Sequence, residues 1–248
     1  MPDILIISEG PVRKIRINRP EKKNALTLAM YESMAAAIED SATEASVRCL
    51  LISGTHDVFC AGNDLNDFVA MARSGALGAP IVRFLHALAR CEKPLVAAVS
   101  GAAVGVGTTM LLHSDQVIAS DTATLLTPFV SLGLLPEAGS SLLAPRLMGH
   151  ARAFSLLVMG KSLSAEEAKA AGIITAVVPA GELDARSLEV AREISALPPE
   201  SVAAARRLMR GSVEEIVARI DEEVEVFKTR LASPEAQKAF AAFLTRKR

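Results

Sequence analysis

The chain has 248 residues, of which 50% are hydrophobic and 22% charged, so it carries the aliphatic material for one large core with an appendage and is too apolar for a disordered chain. Its formal net charge of −1 removes the usual reason to expect a nucleic acid or an anionic membrane as partner. Cys49, Cys60 and Cys91, odd in number and set in apolar contexts, argue against a disulfide framework and for reduced thiols in a soluble cytoplasmic protein.

The start of the chain has no basic segment leading into a long apolar one, and no apolar run reaches the ~20 residues of a membrane span. Ile4–Ser8 and Val12–Ile17 read as two strands joined at Glu9-Gly10. Asn18 to Leu26 is a polar loop with Arg19, Lys22 and Lys23 close together, a pattern that fits a solvated turn or a phosphate contact. Thr27 caps a helix whose buried face carries Met30, Met34, Ala37 and Ile38. Val47–Ser53 is continuously apolar, as a strand buried on both faces would be. It runs into Phe59-Cys-Ala61-Gly62-Asn63-Asp64-Leu65, small residues and then an Asn-Asp pair able to cap a helix from Leu65.

Ser74–Pro80 breaks that helix as a connector or a lid, and Ile81–Cys91 resumes it. The apolar run from Leu95 to Gly101 then repeats the strand, and the glycine turn through Gly101, Gly105 and Gly107 leads to a helix starting near Val106. Taken alone the glycines serve equally well to pack a helix tightly on a strand, and they do not spell the dinucleotide fingerprint. Each of the two strand-to-helix turns offers a backbone N–H, near Ala61 and near Val106, to an oxygen gaining negative charge. Glu137, between Pro136 and Gly139, is the nearest acid. His86 and His113, on apolar helices, read as satisfied histidines, and no His or Cys spacing matches a metal site.

Further on, Gln116–Ala119 and Ala123–Leu126 read as strands, Ser140–Met148 and Arg152–Met159 as helices, and Ser164 to Glu167 as a capping box. Ile173–Val178 is a last strand. From Glu182 on the pattern is all helix, which divides the chain into a mixed core, 1–181, and a helical region, 182–248. The stripe Val213, Ile216, Ile220, Val224 and Phe227 is too long for a lone surface helix and calls for a partner within the chain or in a second subunit.

The pieces in this order resemble the enoyl-CoA hydratase/isomerase (crotonase) family over nearly the whole chain. They are Asn18-Arg-Pro with Asn24-Ala-Leu, Phe59 to Leu65, Lys93 to Gly105, Asp115 to Asp121, Leu132 to Gly139, and Gly160 to Gly172. The resemblance implies an α/β fold, a spiral of ββα repeats with a C-terminal helical region used in trimers or dimers of trimers. It implies an acyl-coenzyme A thioester as substrate and no separate cofactor. It puts the oxyanion-hole N–H groups on Ala61 and Val106, and coenzyme A contacts on Lys22, Lys23, Ala25, Asn63, Asp64 and Leu65.

Family hydratases carry two glutamates, where this chain has Thr109 and Phe129. Adding water across a double bond takes an acid and a base, so the hydratase reaction is disfavoured. Glu137 stands where Δ3-Δ2-enoyl-CoA isomerases of the peroxisomal kind carry their single Glu, which implies a one-carboxylate proton shuttle in a pocket of Leu126, Phe129 and Leu134 that raises its pKa. The alternatives are a weak hydratase, an epoxyphenylacetyl-CoA-type ring isomerase, whose relatives have Asp at that place, and a non-enzymic acyl-CoA- or RNA-binding relative. Glu137 as a mere first-turn acid of the next helix is the bland alternative.

Overall fold

The computed structural model describes residues 2–55, 57–74 and 77–246. β1 (Ile4–Glu9) and β2 (Val12–Ile17) form the expected antiparallel hairpin. α1 (Leu28–Thr43) begins where the Thr27 side chain accepts the Met30 N–H, as its sequence predicts.

Three pairs of strands follow: β3 (Cys49–Ser53) with β4 (Val58–Cys60), β5 (Leu95–Val99) with β6 (Ala102–Val104), and β7 (Gln116–Ser120) with β8 (Thr124–Leu126). α2 (Leu65–Ser74) and α3 (Ala79–Arg90) separate the first pair from the second, and α4 (Val106–Thr109) follows the second. Residues 75 and 76 of the expected break lie outside the described residues. α5 (Ser140–Met148), α6 (His150–Leu157), β9 (Leu163–Ser164), α7 (Ala165–Ala170) and β10 (Ala176–Val178) come next. Four helices end the chain: α8 (Leu183–Ala196), α9 (Pro199–Arg210), α10 (Val213–Leu231) and α11 (Pro234–Arg246).

Each pair sends its first strand to a six-stranded sheet, ordered β1-β2-β3-β5-β7-β10, and its second to a four-stranded sheet, ordered β4-β6-β8-β9. Apart from β1–β2 and β8–β9 all neighbours are parallel. This is the expected α/β architecture of ββα repeats.

The unbroken apolarity of β3 and β5 has the cause its pattern suggests. Leu50, Ile52, Ala97 and Val99 point into the larger core, and Cys49, Leu51, Val96 and Ala98 into a second one closed by Leu183, Val190 and Ala191 of α8. α10 packs its stripe within the chain, on α3 and α5, and Phe227 meets Phe68 edge to face with ring centroids 6.4 Å apart. α9 is tied to the sheet by a buried Arg206, whose Nε donates to Asp115 while Asp115 accepts the Leu95 N–H at 2.8 Å.

Several elements differ from the sequence reading: the first turn opens with a strand, β4, and the expected strand Ile173–Val178 is only the three residues of β10. The glycine turn contains a strand, β6, and the helix after it is four residues of α4 running into a 3-10 turn, Met110–His113. Among the described residues no helix is long and apolar enough to cross a membrane.

Candidate active site

β4 and β6 are parallel neighbours, with Val58 beside Ala102 and Cys60 beside Ala103, so the chain leaves both strands side by side. That pairing brings together the two turns found in the sequence. Gly107 lets them approach, because a Cβ there would stand 2.8 Å from the Cys60 carbonyl oxygen. Gly105 caps α4 at φ 58°, ψ −120°, a conformation an L side chain resists.

Val106 is then the first residue of α4, and its N–H has no acceptor among the described residues. α4 is only one turn long, so what it offers is that free N–H rather than a large dipole. The N–H of Ala61 is already taken: it donates to the Lys23 carbonyl at 3.1 Å, where the sequence reading expected it free. The cause is non-local. The Lys23–Leu26 loop lies against the first turn, with Leu26 N donating to Gly62 O and Asp64 N to Leu26 O, both at 2.8 Å.

Glu137 is 9% exposed and accepts a hydrogen bond from Thr109 Oγ at 2.5 Å through Oε1, while Oε2 has no partner among the described residues. Burial pushes its pKa up to about 8; the Thr109 bond pulls it down and the negative charge of Glu223 pushes it up. The direction is the one the sequence predicts. Phe129 and Leu134 are buried in the same core as Val106, and Leu126 is half-buried. Glu137 precedes Ser140 by three residues and α5 has Gly139 at its N-cap, without a side-chain cap. Glu137 is thus not spent on capping that helix.

Around it stand residues to which the sequence reading gave no part in the site. Tyr31, buried, donates its hydroxyl to Asn63 Oδ1 at 2.6 Å. Burial first, and then the nearby charge of Glu137, raises the Tyr31 pKa. His113 is satisfied at one nitrogen only: burial brings its pKa down to about 4, so the ring is neutral and Nε2–H donates to Ala138 O at 2.7 Å, while buried Nδ1 has no partner among the described residues, where the sequence reading expected a satisfied histidine. Thr109 is visible in the sequence only as a missing acid. His86 pairs with Asp221 across 2.8 Å, on the surface.

The residues expected to hold coenzyme A are brought together. Lys22 and Lys23 are exposed, Lys23 in the left-handed region at φ 52°, and Ala25 is half-buried beside them. Buried Asn24 fixes this loop by donating Nδ2–H to Val58 O at 2.8 Å. Leu26 bridges to Asn63. Asp64 has an internal role: Arg19 donates to Oδ2 at 2.7 Å and Asn66 N to Oδ1 at 2.9 Å. Burial raises its pKa, but those bonds outweigh it and hold the carboxyl below the usual range. Leu65 opens α2, and its side chain lies outside the described ones.

Comparison with known proteins gives the family and the fold. Residues 8–248 match the family model described as enoyl-CoA hydratase/isomerase. Enoyl-CoA delta isomerase 2 of Rattus norvegicus is 38% identical over 98% of the chain, which spans 64% of that protein. The peroxisomal Enoyl-CoA delta isomerase 3 of Mus musculus is 36% identical over 99% of the chain and 79% of its own length. The structure of Pseudomonas aeruginosa OdaA superposes with a TM-score of 0.93 at 42% identity, covering 98% of this chain and 99% of that one.

Proposed function

The chain belongs to the enoyl-CoA hydratase/isomerase family, and from that premise we propose that it moves the double bond of a 3-enoyl-coenzyme A to the 2-position. The observation that carries this reading is Glu137, a buried carboxyl with its pKa pushed up to about 8 and one oxygen unpartnered among the described residues, tied to Thr109 of the short helix whose first N–H, that of Val106, has no acceptor among them either. Thr109 hydroxyl, not a second acid, stands against Glu137.

In the proposed reaction Glu137 Oε2 takes a proton from C2, and the electrons pass through the thioester to its oxygen. That oxygen accepts the Val106 N–H and competes with the Lys23 carbonyl for the N–H of Ala61. The protonated Glu137 returns the proton to C4, and the double bond comes to rest between C2 and C3. One carboxyl suffices because the same proton leaves and returns. Hydration would need a second group to hold and deprotonate water. Lys22 and Lys23 are placed to meet the phosphates of coenzyme A, which arrives with the substrate, and the reaction as proposed takes no other cofactor.

Family resemblance and the exposed Leu208 and Met209 of α9 support assembly as a trimer or dimer of trimers, to be checked by light scattering. Free, buried Cys49, Cys60 and Cys91 support a reducing compartment, taken as the cytoplasm.

The test is 3-enoyl-CoA with wild-type chain and Glu137→Gln, followed by the absorbance of the conjugated product. Wild type converts it, while the variant loses about 10²–10⁴ in kcat and keeps its affinity for coenzyme A. Equal turnover in the two proteins would remove Glu137 from the reaction, and no turnover in wild type would reject the substrate.

A further inference from the structure

Glu223 is a carboxylate on the buried face of α10, 3% exposed, 86 positions (223 − 137) beyond Glu137 in the sequence. Its Oε2 accepts the Gly139 N–H at 2.6 Å, and its Oε1 accepts the Ser141 N–H at 2.9 Å and the Ser141 hydroxyl at 2.5 Å. α10 thereby supplies the cap that α5 lacks in its own sequence. Among the described residues three donors and no acceptor meet the carboxyl, which favours its charged form, while burial acts the other way and raises its pKa.

The corner it holds is strained. Ala138 and Gly139 are consecutive left-handed residues at φ 64° and 68°, and an alanine adopts that conformation only where its surroundings impose it. His113 fixes the carbonyl of Ala138, and Glu223 fixes the N–H of Gly139. Glu137 is the residue immediately before this clamped pair, so its reach to Thr109 depends on the clamp.

We propose that Glu223 is a positioning residue for Glu137, pinning the Ala138–Gly139 corner from α10 so that the catalytic carboxyl stays aimed at Thr109 and the substrate. The inference deepens the isomerase reading and rests on Glu137 as the proton carrier. A merely structural staple between α10 and α5 would predict only a loss of stability.

The ionisable groups acting on Glu137 are Glu223 from α10, Tyr31 from α1 and Cys60 from β4, with neutral His113 one residue away on Ala138. Arg219, on the same helix as Glu223, reaches Ser141 Oγ at 3.5 Å. Glu223→Gln removes the charge and turns an amide NH2 toward one of the donors, so it loosens the corner while keeping the side chain's size.

The measurement is an NMR titration of the carboxyl of Glu137 in glutamate-labelled protein, assigned with Glu137→Gln, together with kcat and KM on 3-enoyl-CoA. In Glu223→Gln the lost charge lowers the Glu137 midpoint while a loosened Thr109 bond raises it, so the positioning role is read as coupling: Thr109→Val raises the midpoint in wild type and by clearly less in Glu223→Gln, and kcat of Glu223→Gln falls about 10- to 100-fold with KM nearly unchanged. Glu223→Asp, which keeps the charge but draws it back, changes both in the same directions by less, and it decides the matter if Glu223→Gln does not fold. An equal shift on Thr109→Val in the two backgrounds, or in an active enzyme an unchanged kcat, overturns the proposal. A smaller Thr109→Val shift in Glu223→Gln, together with a wild-type chain that does not isomerise 3-enoyl-CoA, leaves the positioning role standing and rejects the substrate instead.

Discussion

Thr109 donates to Oε1 of Glu137, not to the oxygen proposed to take the proton, and its hydroxyl acts in two ways of opposite sign. It aims Glu137, and it holds down a pKa that burial pushes up. Thr109→Val keeps the branched shape and deletes the donor, so the acidic limb of the pH profile of kcat/KM moves above about 8 and the rate at pH 7 drops. An unmoved profile would show that the 2.5 Å contact does not tune the base. Val106 is open to a complementary change. It is the first residue of its helix, where proline is tolerated because that N–H has no intrahelical partner. Val106→Pro should therefore fold and lose about 10²–10³ in kcat through the missing donor, read from circular dichroism and turnover on one sample.

Between elements, the site depends on how closely α4 can approach the end of β4. Alanine in place of a helical glycine ordinarily gains up to about 1 kcal/mol. At Gly107 its Cβ would meet the Cys60 carbonyl oxygen at 2.8 Å and the Cys60 Cβ at 2.9 Å, and overpacking of that kind costs about 1–3 kcal/mol. Gly107→Ala should consequently melt earlier and turn over more slowly, since the corners carrying Ala61 and Val106 are pushed apart. A variant that melts later would mean that the backbone gives way freely there.

The same elements show what the residues alone disclose. The five buried residues of β3, the Thr27 cap, the capping box at Ser164 and the helix Val213–Leu231 were legible, because each is a local pattern of burial or hydrogen bonding. β4 and β6 were not legible as strands, for they are three residues long and lie among glycines, and only their pairing, β4 with β6 and β6 with β8, makes them strands. Glu137 and Val106 could be singled out from turn chemistry and resemblance. The occupied N–H of Ala61 could not, since its acceptor comes from a loop 38 residues earlier (61 − 23). Glu223 left a faint mark: it sits three residues after Ile220 and four before Phe227, a charge on the buried stripe of α10, which calls for donors on whatever that stripe covers.

For the molecule as a whole, a buried base is a cost that pH can expose. Glu137 titrates at an ordinary value of 4.5 when the chain is unfolded and at about 8 when it is folded. Between those values the folded chain keeps a proton that the unfolded chain has released, so the stability present below about 4.5 is lost progressively as pH rises to about 8 and then levels off. The full displacement corresponds to on the order of 5 kcal/mol at most, a large fraction of a typical folding free energy. His113 works the other way over a lower range, because its pKa is brought down to about 4 and stability grows as pH climbs from there toward its ordinary 6.5. The two slopes overlap in wild type, but His113 is unchanged in Glu137→Gln and cancels in the difference. Urea denaturation of both proteins at intervals from pH 5 to 8 should show Glu137→Gln gaining on wild type at each step, with the larger advantage at pH 8. A difference that stays constant over that range would mean that Glu137 is ionised in the folded chain at neutral pH, and the burial that raises its pKa would no longer account for its chemistry.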